Sequence, residues 1–145
     1  MNFEKDVQKA HEFLKELAGA IGAEGDERKA GRVLRAVLRV LRRRISPEEY
    51  LDFIAQLPMC IKAMAVDGWK LSSFPDKNIK NADDFIRAVM EEDKRAAEND
   101  FGDEESAKEI VKKVFHFLKE HISSGEIKDM EAELPKAIQE LIESA

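Results

Sequence analysis

One cysteine, one tryptophan, one tyrosine and no threonine occur among the 145 residues. Cys60 has no partner within the chain, which excludes an internal disulfide framework and fits a reducing compartment. The seven glycines include no phosphate-cradling pattern, which argues against a nucleotide-binding loop. Long hydrophobic runs are also lacking. The weakly apolar stretch from Leu17 to Ala23 is broken by glycines and falls far short of a membrane span. The opening Met1-Asn2-Phe3-Glu4-Lys5-Asp6 has neither the cationic start nor the apolar stretch of a secretion signal, so the expected location is the cytoplasm. No sustained alternation of β-branched residues occurs, and no strand is expected. The serines sit at caps and loops and leave no candidate nucleophile. Adjacent acids such as Glu48-Glu49 and Glu91-Glu92-Asp93 point to different helix faces, so no paired-carboxylate site is expected from them.

Charge and apolar residues are plentiful. Charged residues make up 37% and hydrophobic ones 43%, the balance of a soluble globular chain rather than a disordered one. A chain of this length buries roughly 68–70% of its unfolded surface without disulfide or metal staples. The net charge of −6 hides an asymmetry. Arg28 to Arg44 carries eight basic residues and no acid, which leaves −6 − 8 = −14 on the remainder.

Helical periodicity dominates. Phe3, Val7, Ala10, Leu14, Leu17 and Ile21 recur on one face, and Gly22 to Gly25 end that first helix. Asp26 is the expected N-cap of a second helix, which runs to about Arg44 and buries Val33, Leu34, Val37 and Leu41. Ser46-Pro47-Glu48-Glu49 is a start signal in which Ser46 caps, Pro47 presets φ and Glu49 closes a capping box. Pro58 ends that third helix and opens a fourth, through about Val66. The turn-rich stretch 68–81 reads as a linker, and Asn81 or Asp83 restarts a helix carrying Phe85, Ile86, Val89 and Met90.

An offset of 77 residues aligns 25–65 with 102–142 without a gap, and 14 of the 41 positions are identical. Gly25-Asp26-Glu27 meets Gly102-Asp103-Glu104. Ile45, Ser46, Glu49, Asp52, Ala55, Leu57 and Pro58 meet the same residue types at 122, 123, 126, 129, 132, 134 and 135. The first helices match more loosely, with about five extra residues in the second copy. The expected fold is all-α: eight helices in two tandem four-helix repeats, 1–67 and 82–145, sharing one core about a pseudo-two-fold axis. The repeat-matched Glu49/Glu126, Asp52/Asp129 and Pro58/Pro135 are expected to do the same capping or turn job twice.

The Leu-(x)3-Ile-Ser-x-x-Glu…Gln-Leu-Pro segment around Ile45 to Pro58, the Gly68-Trp69 exit and the Phe85-Ile86-Arg87-Ala88-Val89 restart resemble a bacterial family known only as a conserved domain of unknown function. The resemblance covers nearly the whole chain. It implies a cytoplasmic all-helical fold of two related halves, and it brings no reaction, cofactor or catalytic residue.

Arg28, Arg32, Arg35, Arg39 and Arg42 form one helical stripe nearly opposite the apolar face of the second helix. Guanidinium forks suit phosphates and carboxylates, so nucleic acid, an anionic lipid surface or an acidic protein are physically sensible partners. The alternative is internal or intersubunit pairing, because residues 83–105 hold ten acids against three bases. Trp69 is read as an anchor for the linker, or as one wall of a small-ligand cleft between the halves. Cys60 reads as a small buried hydrophobe. His116, Glu120 and His121 lack metal-ligand spacing, and His11 has no evident partner, so neither metal nor cofactor is expected. The function expected first is a non-catalytic helical interaction or adaptor protein, with a protein partner or self-association. Anion binding through the stripe and ligand binding in the cleft follow.

Overall fold

Helix starts fall where the capping residues stand. In the computed structural model, which describes residues 1–145, Asn2 caps α1 (Phe3–Ala20), Asp26 caps α2 (Glu27–Arg44) and Ser46 caps α3 (Pro47–Ile54). Each side chain accepts a backbone N–H from the first turn, satisfying one of the donors that a helix start leaves open. α4 (Met59–Val66) follows Pro58, and α5 (Ala82–Asp93) is capped by Asn81. α6 (Ala97–Phe101) is only five residues long and ends at Gly102. α7 (Glu104–His121) starts behind Asp103, α8 (Ser124–Ala132) behind Ser123, and α9 (Lys136–Glu143) behind Pro135. Two 3-10 turns, Leu71–Ser73 and Lys94–Ala96, complete an all-helical chain without a strand. No helix is long and apolar enough to cross a membrane.

Eight helices have eight or more residues. α6 is an addition to the expected eight, and it is too short for periodicity to register. The bounds of α7 lie 77 positions beyond those of α2 at both ends (27 to 104, 44 to 121), and those of α9 stand likewise to α4. Gly25 and Gly102 both take positive φ, 86° and 72°, directly before the capping aspartates, a backbone state that glycine adopts without penalty.

α2 is the hub. It packs against α1, α5, α4 and α6, and Ala30, Val33, Leu34, Val37, Leu38, Val40 and Leu41 are all inaccessible to solvent. One cluster of 38 buried apolar residues extends from Phe13 to Ile142. α3 packs on α8, far apart in sequence. The linker is pinned rather than loose: Asp76 N–H donates to the Arg43 carbonyl at 2.8 Å, and Ile79 is buried.

The first helix departs from its apolar pattern. Phe13, Leu17, Ala18 and Ile21 are buried, but Phe3 and Val7 of the same stripe are 75% and 48% exposed. Its first turn overhangs the body, while Asp6 and Lys9 lie beside Pro58 and Met59. Periodicity marks a face that can be buried; only the tertiary arrangement decides whether anything covers it.

Candidate functional site

α2 carries the cationic face, and its arginines meet different fates. Arg32 grips Asp100 of α6 with both arms of its fork, Nε to Oδ2 at 2.8 Å and Nη2 to Oδ1 at 2.9 Å. That bidentate geometry is the strong form of a charge-assisted hydrogen bond. Arg39 lies 3.7 Å from Asp67 and 3.8 Å from Glu92 of α5. Arg43 bonds Glu92 at 2.6 Å and lies 3.3 Å from Asp76. Arg28 and Arg35 are exposed and make no ion pair.

Arg42 does not point outward. It is 6% exposed, and its Nη1 donates to the carbonyls of Ala65 at 3.0 Å and Asp67 at 2.8 Å. It therefore caps the open carbonyl end of α4, where a cation is favoured. Desolvation lowers its pKa, opposed by the charges of Glu92 and Asp67. Buried Tyr50 shares the Ala65 carbonyl through its hydroxyl at 2.8 Å, and burial pushes its pKa up. Trp69 stacks edge-on against Tyr50 with ring centroids 5.1 Å apart, and its indole N–H is buried without an acceptor. Arg32 and Arg39 are thus paired, Arg42 is internal, Arg28 and Arg35 are free, and Trp69 packs on the core.

Asp100 has a second neighbour, Asp93 at the end of α5. The two are 1% and 7% exposed, and each acts on the other's titration. Burial first, then the hydrogen bond and charge of Asp100, push Asp93 up to about 7, opposed by Arg32 and Arg35. Hydrogen bonds from Arg32, Asp93 and Asn99 outweigh desolvation and pull Asp100 down.

A separate acidic group lies where α3 meets α8. Carboxylate oxygens of Glu49, Glu126 and Asp129 all fall within 4.8 Å of one another, a donor set of the kind hard cations use. Burial raises Glu49 to about 7, with the charges of Glu126, Asp129, Glu133 and Asp52 adding to it. The expected capping box is only half made. Ser46 and Ser123 accept from the N–H groups of Glu49 and Glu126, each at 3.3 Å. The return bonds come from elsewhere: Ser46 N–H donates to Glu133 and Ser123 N–H to Gln56, each at 2.6 Å. Glu49 and Glu126 are left to face each other across the contact.

The histidines acquire partners that the sequence did not reveal. His11 lies 2.9 Å from Glu27, and His121 packs against the rings of Phe13 and Phe117. Cys60 is half-buried rather than fully enclosed.

Residues 10–141 match the family described as uncharacterized conserved protein (DUF2267). The chain belongs to that family. The match spans the arginine face, the α3–α8 contact and the Asp93–Asp100 pair, so each lies inside the DUF2267 region. No curated protein matches the chain.

Proposed function

We propose that this DUF2267 protein is a non-catalytic helical interaction module of the bacterial cytoplasm that associates with a second copy of itself. Its architecture is read as two tandem four-helix repeats, 1–67 and 82–145, joined by the 68–81 linker about a pseudo-two-fold axis. The 77-residue spacing of the matched helices supports that reading. So do the reciprocal caps, since Ser46/Ser123 and Gln56/Glu133 each stand 77 apart (123 − 46 and 133 − 56).

The overhang of α1 carries the functional reading. Met1, Phe3 and Val7 present an apolar surface continuous with the buried stripe below, and exposed clusters of large apolar groups mark contact sites. A two-fold contact needs only one such patch, used by both copies. The test is sedimentation of the wild-type chain and of Phe3→Glu/Val7→Glu. Both residues are exposed, so the variant should keep its helicity and lose only association.

A second reading rests on Arg28 and Arg35, the stripe members without partners. They suit an anionic partner, through two guanidiniums rather than five. A ligand cleft beside Trp69 ranks behind both, because the indole ring is already occupied by Tyr50.

A further inference from the structure

We propose that the corner joining α5 to α6 is a proton-operated latch, in which one proton shared by Asp93 and Asp100 keeps the corner docked on Arg32 of α2.

The charge count requires that proton. Two carboxylates, each more than nine-tenths buried, meet one guanidinium fork, and the fork is fully used on Asp100. Asn99 adds a third donor to Asp100 through Nδ2 at 3.2 Å. Asp93 Oδ2 is buried with no donor at all. As a carboxylate, Asp93 would be an uncompensated buried charge beside another; as an acid, it has an O–H to donate to Asp100. The charges acting on the pair come from both packed elements. The charges of Arg32 and Arg35 on α2 act on Asp93, and that of Asp26 acts on Arg32. Lys29 reaches over the corner to the Asn99 carbonyl at 3.4 Å.

The corner itself has little local reason to stay folded. It turns through Lys94 at φ 51°, a left-handed conformation that residues with side chains disfavour. The 3-10 turn and five-residue α6 that follow are too short to be stable alone. Docking on α2 rests on Phe101 of α6, buried in the core, and at its polar edge on the Asp93–Asp100–Arg32 contact. Release frees Arg32 beside the already exposed Arg28 and Arg35, so the latch also controls how many guanidiniums α2 presents.

The direction of the response follows from linkage. Asp93 titrates near 7 when docked and at the ordinary aspartate value of 3.8 when released. Docking is therefore tightest below about pH 4, weakens about tenfold per pH unit on the way to 7, and is constant above that. Segment-resolved hydrogen exchange on the full chain at pH 5.5 and 7.5, corrected for intrinsic rates, reads it directly. Residues 94–102 should open about 25-fold more often at the higher pH. Asp93→Asn donates to Asp100 at every pH and should abolish the change, whereas Glu49→Gln should leave it intact. Unchanged wild-type protection, or the same increase in Asp93→Asn, overturns the proposal. Should Asp93→Asn fail to fold, carboxyl-carbon NMR of the wild-type chain decides: an Asp93 midpoint near 7 supports the latch and one near 4 overturns it.

Discussion

Ser46 and Glu133, 87 residues apart, meet in a two-point contact: the Ser46 N–H donates to Oε1 at 2.6 Å and its hydroxyl to Oε2 at 3.0 Å. The start of α3 is thereby capped by a residue remote in sequence, at the C-terminal end of the neighbouring α8. Ser46→Ala should cost about 1 kcal/mol, as loss of an N-cap does. If Glu133 works through the same contact, Glu133→Ala adds less than its full single-variant effect on top of Ser46→Ala. A double-mutant cycle by urea denaturation checks this, with a coupling of about 0.5 kcal/mol or more expected.

Glu49 opposes folding at neutral pH. Its pKa is raised to about 7 by burial and by the acids around it. The folded chain thus holds a proton that the unfolded chain releases at the ordinary glutamate value, 4.5. Stability from this group is complete below about pH 4.5 and is lost as pH rises to 7. Glu49→Gln should raise Tm at pH 8 and change it little at pH 4.5. Melting curves of both proteins at the two pH values check the sign.

Arg32 and Asp100 should behave as a pair that is costly to break. Arg32→Ala leaves Asp100, 1% exposed, with only Asn99 and Asp93 for company. A loss of about 3 kcal/mol is expected, because an uncompensated buried charge remains. Arg32→Lys should recover little, since a point charge cannot reproduce the two-armed grip. Chemical denaturation of the two variants reads both effects.

Arg28 and Arg35 are the only stripe members available to an outside anion without rearrangement. Any binding to nucleic acid should therefore show a slope of log K against log salt no steeper than about −2. Arg28→Glu/Arg35→Glu should abolish that binding without lowering Tm. A steeper slope would mean that the paired arginines are also released.

Much of the fold was legible because its signals are local. Asp26 and Ser46 cap helices where the sequence places them, Asn81 rather than Asp83 caps α5, and α2 ends at Arg44 as expected. The fates of the arginines were not legible. Arg42 lies on the same sequence stripe as Arg28, yet the open end of α4 draws it inside. Pairing of Arg32 with Asp100 spans 68 residues, so the acidic excess at 83–105 indicated a possibility without a partner. Glu49 shows the same gap. Its motif matches a capping box, but the reciprocal bond is taken by Glu133, a competitor brought in only by tertiary packing. The exposed Phe3 and Val7 were hidden for the opposite reason: a regular pattern implied a neighbour that the chain does not provide.

Sedimentation equilibrium over a range of protein concentrations tests the central claim most directly. The wild-type chain should approach twice the monomer mass of 16.5 kDa as concentration rises, while Phe3→Glu/Val7→Glu stays at that mass with unchanged helicity. A wild-type chain that remains at monomer mass throughout, or a variant that associates as the wild type does, would contradict self-association through α1.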